Sequence, residues 1–247
     1  MTKRIFLAGA TGAIGRRLLP LLLNAGYEVT GMTRSQAKAI ALRDRTIRMV
    51  VADVFDADAV KRALDAARPD VVIHQLTDLS ALASPATAIP RNARIRSEGT
   101  RNLVNAALMV GARRIIAQSI AWAYAGGTLP HAESHPLDMH AAEPRSITVR
   151  GVSALENAVL HSPPLLGTVL RYGQLYGPGT GADAPHGAAP LHVDAAAYAA
   201  LLAVQHEAYG IYNIAGRDAD VVTEKARREL EWHEDMRLPA DVMDISV

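Results

Sequence analysis

Gly9-Ala10-Thr11-Gly12-Ala13-Ile14-Gly15 follows the apolar run Ile5-Phe6-Leu7 and leads into a helical pattern, Ala13 to Ala25, that Gly26 closes. Each glycine of this GxxGxxG spacing has its own physical reason. Gly9 permits the tight turn out of the strand, Gly12 lets a pyrophosphate approach the backbone, and Gly15 lets the helix pack closely on the sheet. The helix N-terminus then offers unpaired N–H groups and partial positive charge to phosphates. Such a motif informs only in context. Here an apolar strand precedes it, an amphipathic helix follows, and a second strand pattern, Tyr27 to Met32, begins about 20 residues on. The stretch therefore predicts a dinucleotide-binding turn.

Outward from this turn, short β-rich runs alternate with helical patterns. Helices are expected at Ser35–Arg43, at Ala57–Ala67 (capped by Asp56 and stopped by Pro69), from about Arg94 to Val110, and at Thr148–His161, Asp194–His206 and Thr223–Trp232. Strands are expected at Ile47–Val51, Val71–Ile73, Arg114–Gln118, Thr168–Arg171 and Ile211–Ile214, with loops at Gly126–Arg145 and Gly173–Pro190. Continuous β-branched runs such as Val71-Val72-Ile73 mark strands buried on both faces. Strand–helix alternation implies right-handed crossovers and a parallel sheet covered on both sides. The expectation is an α/β fold, a Rossmann-type doubly wound parallel sheet, forming a single domain over residues 1–247.

Composition narrows the partners. Lys+Arg 26 against Asp+Glu 25 gives a net charge of +1, with basic residues dispersed and only 4% aromatics, so neither a phosphate-backbone surface nor a base-stacking platform is expected. No apolar run reaches the roughly 18–20 residues that span a bilayer, and Met1 to Leu7 runs straight into a strand, leaving no room for a signal peptide. Zero cysteines remove disulfides, thiolate metal sites and cysteine nucleophiles. A cytoplasmic protein with a small-molecule substrate, no nucleic acid and no membrane partner is expected.

The end of the second strand speaks to the cofactor. A carboxylate there accepts from the ribose 2′-hydroxyl of NAD, whereas an arginine accommodates the 2′-phosphate of NADP. Met32-Thr33-Arg34-Ser35 carries no acid, and Lys38 follows one turn later. The pattern favours NADP(H) over NAD(H).

Further motifs carry a resemblance. Ala52-Asp53-Val54, Gly99-Thr100-Arg101-Asn102-Leu103, Leu170 to Gly179 and His192-Val193-Asp194, together with the glycine turn, resemble the extended short-chain dehydrogenase/reductases of the NAD-dependent epimerase/dehydratase family. The resemblance implies cofactor contacts from Gly9, Ala10, Thr11, Gly12, Ala13, Ile14, Gly15, Arg34, Asp53, Val54 and Leu76. It also implies a substrate lobe built by residues 173–193 and 216–247, reduced here because segments are missing after Gly181 and between Gly216 and Thr223, and a homodimer formed through helices 94–110 and 148–161.

The departures bear on chemistry. The family's Tyr-x-x-x-Lys pair acts as proton donor and pKa-lowering cation, beside a hydroxyl that positions the substrate oxygen. Counted from Glu156, the tyrosine position is Thr148, the lysine position Val152, and the hydroxyl position Ile120, with Ser119 beside it. Cofactor binding carries over, and that acid/base machinery does not. Tyr124 and Ser119 are the remaining candidates for proton handling, and Tyr172, Gln174 and Tyr176 for lining a substrate pocket. His131, His135 and His140, with Glu133 and Asp138, have no spacing that fixes a metal geometry, so no metal site is expected. Two readings stay open: an NADP(H)-dependent oxidoreductase or epimerase-like enzyme on a small carbonyl or sugar-type substrate, or a non-catalytic NADP(H)-binding redox sensor or regulatory protein.

Overall fold

Strand β1, Arg4–Ala8, buries four of its five residues, and its pairing sets the frame for the molecule. In the computed structural model it lies between β2 (Glu28–Thr33) and β4 (Val71–His74), parallel to both, with Leu7 opposite Gly31 on one side and Ile73 on the other. The structure describes residues 3–43, 47–78, 85–217 and 219–239. Residues 218 and 240–247 of the expected substrate lobe therefore lie outside the described residues. Adding β3 (Arg48–Val51), β5 (Arg114–Ile120), β6 (Leu166–Tyr172) and β9 (Gly210–Ile214) completes a seven-stranded sheet of order β3-β2-β1-β4-β5-β6-β9, parallel at every pairing. The strand order reverses between β1 and β4, where open parallel sheets form a crevice at their carboxyl ends.

Alternation along the strands splits the core into two layers. Ile5, Leu7, Val71, Ile73, Ile116 and Leu170 pack with α1 (Ala13–Asn24) and α7 (Val193–Gln205). Phe6, Ala8, Val72, Ile115, Ala117 and Val169 pack with α3 (Ala57–Ala67), α5 (Thr100–Met109) and α6 (Arg145–Leu160). Helix α3 begins as expected, with the Asp56 carboxylate accepting from the Ala59 amide. Beyond α2 (Gln36–Arg43), the helix expected from Arg94 starts earlier, as α4 (Pro85–Arg94), then passes through a π-helical turn at Ile95–Gly99 into α5. Pro85 and Pro90 hid α4, because proline removes an amide from the helix pattern. The loop expected at Gly173–Pro190 holds β7 (Gln174–Tyr176), and β7 pairs in parallel with β8 (Pro190–His192).

Helix α8 (Glu224–Leu230) is followed by Trp232, which is fully buried and donates its indole N–H to the Ala195 carbonyl of α7 at 2.8 Å. Among the described residues no helix is long and apolar enough to cross a membrane. Truncating Trp232 deletes a large core side chain and its hydrogen bond, a class of change that costs about 3–5 kcal/mol. Trp232→Ala should lower the urea midpoint accordingly, without loss of parallel-sheet circular dichroism at zero denaturant.

Candidate dinucleotide site

The β1–α1 turn has no room for a side chain at Gly9 or Gly15. Gly9 sits at φ +92°, and a Cβ there would lie 2.7 Å from the Gln75 carbonyl oxygen, while one on Gly15 would lie 2.1 Å from the Gly9 carbonyl oxygen. The Gly9 and Ala10 amides donate to the Met32 carbonyl, and the Gly12 amide closes the turn onto Gly9. Helix α1 starts at Gly12 with no side-chain cap and no acidic residue in its first turn, so its positive end faces the crevice unneutralised. A cleft of about 340 Å³ opens there, lined by Gly9, Thr11, Gly12, Ala13, Ile14 and Arg16, by Thr33 to Ser35 and Lys38, by Gln75 to Asp78, and by Gln118, Leu175 and Gly179.

At one end, the Thr11 and Thr33 hydroxyls hydrogen-bond at 2.9 Å, which pins the turn to the tip of β2. Arg34, about half exposed, lies 3.3 Å from the carboxylate of Asp78, which also takes Arg91 of α4 at 2.8 Å. The loop after β4 thus gives Arg34 an acidic neighbour that the sequence around β2 does not contain. A smaller adjoining hollow is formed by Arg34, Asp53, Val54, Phe55, Leu76, Thr77 and Ile95. The Asp53 carboxylate accepts from the Phe55 amide, Gly99 packs its bare Cα against Val54, and Asn102 donates to the Val54 carbonyl. The Gly-Thr-x-Asn-Leu segment thus holds the floor of this hollow. The structure brings to these two hollows every expected cofactor residue except Ala10 and Gly15, whose backbones build the turn behind.

The expected catalytic and substrate residues gather elsewhere. Ser119 and Arg171 lie on the sheet face that meets α6, by the same alternation that buries Ala117 and Val169. The Ser119 hydroxyl donates to Glu156 at 2.8 Å, and Arg171 clamps Glu156 through both carboxylate oxygens at 2.8 and 2.6 Å. Arg171 also donates to the Tyr124 hydroxyl at 2.8 Å, and that hydroxyl donates to Asn213 at 2.6 Å. All five residues are buried. Burial pushes the Tyr124 phenol above its ordinary value, although Arg171 and Asn213 pull the other way. Burial alone would lower the Arg171 guanidinium, but its bonds and charge attraction to Glu156 outweigh that and raise it. Both candidate proton donors are thus committed to one internal network, and neither lines the cleft. At the family's lysine position, Val152 is fully buried against Ile120 and Ala123.

The expected substrate residues fall into other places too. Tyr172 is a core residue whose hydroxyl donates to the Ala196 carbonyl at 3.0 Å, and burial pushes its phenol well up. Gln174 accepts from the Ala189 amide, and Tyr176 stacks edge-on against His192. Because these two share one face of β7, the residue between them, Leu175, reaches the cleft. The sequence reading missed Leu175 and Gln118, for which strand parity at β7 and β5 was the available signal.

The family model for the NAD-dependent epimerase/dehydratase family matches residues 5–199. The chain belongs to that family. Among curated relatives of this epimerase/dehydratase chain, a 3-diazoavenalumate denitrifying reductase from a Streptomyces species is 43% identical over 233 residues, covering 85% of this chain and 75% of that protein. A dTDP-4-dehydrorhamnose reductase of Streptomyces griseus is 32% identical over 180 residues, spanning 71% of this chain and about half (51%) of that one. Among solved structures, the UDP-glucose 4-epimerase of Thermotoga maritima superposes with a TM-score of 0.73 at 19% identity, covering 95% of this chain and 94% of that one. The WbmG enzyme of Bordetella bronchiseptica, solved with NAD, gives 0.74 at 17%, covering 96% and 91%. At these identities the likeness is one of fold.

One further buried group of this epimerase/dehydratase chain is legible by its bonds. His74, at the end of β4, accepts from the Leu76 amide through Nδ1 at 3.1 Å, so its Nε2 carries the proton and donates to Thr100 at 3.0 Å. Burial, reinforced by the nearby charge of Arg96, lowers its pKa to about 4. An unfolded histidine takes up its proton below about pH 6.5, whereas this one stays neutral in the native state until about pH 4. Its contribution is complete above pH 6.5 and drains away as pH falls towards 4, amounting to about 3 kcal/mol. Urea unfolding across that window should show a shallower loss of stability in His74→Asn than in the native chain.

Proposed function

We propose that the chain binds NADP(H) in the cleft and reduces an aromatic diazo compound with release of dinitrogen. The observation that carries this reading is the pairing of an intact nucleotide cleft with a wall in which, among the described residues, no phenol, imidazole or thiol stands ready to deliver a proton. Reduction of a carbonyl needs such a donor, because the oxygen must be protonated as hydride arrives at carbon. An arenediazonium does not. It takes up a hydride at the ring carbon, the carbon–nitrogen bond breaks with its electron pair, and the products are the arene and N₂, with no proton consumed. Thr148, Val152 and Ile120 in place of the family's acid/base groups fit that demand. The relative at 43% identity, named for a denitrifying reduction, supports the same reaction class.

The residues fit the dinucleotide. A glycine-rich turn and an uncapped helix end suit the pyrophosphate; Asp53, Val54 and Leu76 suit the adenine, and Arg34 with Ser35 and Lys38 suits a 2′-phosphate. The Asp78 carboxylate behind Arg34 is shared with Arg91, so among the described residues two guanidinium charges face this acid, which favours a phosphate beside Arg34. When bound, the dinucleotide supplies the hydride.

A second reading, a carbonyl or sugar-type substrate, is supported by the dehydrorhamnose reductase match. It requires Tyr124 or Ser119 to leave the buried network and give up a proton, so Tyr124→Phe should then abolish turnover.

Mixing the protein anaerobically with NADPH and an arenediazonium carboxylate should consume one dihydronicotinamide per N₂ released, with deuterium from labelled NADPH appearing on the ring carbon. Oxidation of NADPH by nucleotide sugars but not by the diazonium would refute the assignment. A charge-assisted contact to phosphate contributes about 1.5–3 kcal/mol, so Arg34→Ala should weaken NADPH binding roughly 10- to 150-fold in calorimetry while leaving NADH affinity within a few-fold. Equal weakening of both nucleotides contradicts the 2′-phosphate role.

A further inference from the structure

Two amide side chains in the cleft wall are left over once the nucleotide contacts are assigned. Gln75 follows β4 directly and Gln118 lies on β5. These strands pair with His74 opposite Ala117, so the next step of the register sets Gln75 beside Gln118. Both side chains fall on the α1/α7 face, by the same alternation that places Ile73 and Ile116 there. The carbonyl oxygens of both are shielded and have no hydrogen-bond partner among the described residues. Gln75 is buried, at 4% exposed.

The orientation of Gln75 is fixed by its neighbour. The Tyr172 hydroxyl gives its proton to the Ala196 carbonyl, so towards Gln75 it can only accept, and the Gln75 amide nitrogen faces it at 3.4 Å. The Gln75 oxygen is thereby turned away from Tyr172, on a residue that lines the cleft. Shielded carbonyl oxygens are normally paired. Carbonyl oxygens left without donors on two neighbouring residues give this part of the wall a negative partial charge, which a turn of either amide would present to a cation or an electron-poor head group.

Resting on the diazo-reduction reading above, we propose that the side-chain carbonyl oxygens of Gln75 and Gln118 form the receptor for the cationic diazonium head of the substrate. The pyrophosphate at Gly12 and the adenosine beside Arg34 and Asp53 leave the β4–β5 end of the cleft for the reacting groups. Diazonium ions are captured by thiolates, amines, imidazoles and phenolates. An amide oxygen attracts the same positive charge while being too weak a nucleophile to trap it. Among the described residues the cleft wall contains no histidine or tyrosine, and the whole chain has no cysteine. Its one amine, Lys38, stands by β2, three strand positions from β5 and so roughly 14 Å away across the sheet. Tyr172, directly behind Gln75, is held protonated with its hydrogen committed, and so cannot couple to the electrophile. Arg16, Arg34 and Lys38 line other parts of the cleft, so attraction for a cation comes from the two amides at its β4–β5 end, on a wall with no imidazole or phenol among the described residues and no thiol.

The test uses Gln75→Met and Gln118→Met, which keep side-chain length and remove the carbonyl, and Gln118→Glu, which keeps an acceptor. Two stable aromatic inhibitors serve as probes, identical except that one carries a trimethylammonium group and the other a neutral tert-butyl group. In the native chain the cation should inhibit at least tenfold more strongly. Each Met variant should lose most of that ratio and at least tenfold in kcat/KM for the arenediazonium. NADPH affinity should stay within twofold, and Gln118→Glu should keep the preference for the cation. An unchanged inhibitor ratio in both folded Met variants overturns the proposal, as does a loss confined to NADPH affinity, which would assign the oxygens to the cofactor's carboxamide. Failure of the native chain to reduce any arenediazonium would instead strike at the reaction assignment, because the inhibitor ratio is read by binding alone.

Discussion

The molecule is organised around a steric exclusion: the first turn of α1 meets the end of β1 so closely that no side chain fits between them. A Cβ at residue 15 would stand 2.1 Å from the Gly9 oxygen. Absence of side chains lets the helix start directly at the sheet edge, with its unsatisfied amides facing the point where strand order reverses. Everything that lines the cleft is placed relative to that contact. Thr33 and Arg34 arrive because β2 pairs with β1 on one side, and Gln75 to Asp78 arrive because β4 pairs with it on the other.

Much of this frame was legible in one dimension. Continuous apolar runs marked the central strands, and Asp56, Pro69 and Gly111 marked helix ends. Two proline residues disguised α4, and three-residue strands such as β7 and β8 are too short for periodicity to reveal. Side-chain direction was the harder loss. Tyr172, Gln174 and Tyr176 belong to a loop motif that suggested a pocket, yet the first faces the α1/α7 core and the other two share the face of β7 opposite Leu175. Ser119 and Tyr124 were legible as polar residues near a strand end. The buried partners that occupy their hydroxyls, Glu156, Arg171 and Asn213, come from segments 37 to 89 residues away in sequence. Gln118 carried a signal in its parity with Ile116, but an amide in a strand otherwise reads like any other polar residue.

The network that absorbs Ser119 and Tyr124 has its own logic. Removing either partner of a buried ion pair strands the other in a medium that solvates it poorly, so such clusters persist as complete sets. Here Glu156 of α6 is held by Arg171 of β6, which reaches in turn to Tyr124 and, through it, to Asn213 of β9. Three elements are tied at the carboxyl edge of the sheet by these buried bonds. The hydroxyls nearest the sheet's carboxyl edge, those of Ser119 and Tyr124, are thus spent on structure and lie outside the lining of the adjacent cleft.

On the proposed role of Arg34 at a 2′-phosphate, the bond between Asp78 and its two arginines links α4 to nucleotide choice. Arg34 belongs to the β2 edge and Arg91 to α4, and the shared carboxylate makes the position of one guanidinium depend on the other. Drift in α4, a helix remote in sequence from the glycine turn, would therefore reach the ribose end of the cleft through a single acid. On that proposal, selectivity between the two nicotinamide nucleotides can shift through a helix outside the lining of the cleft.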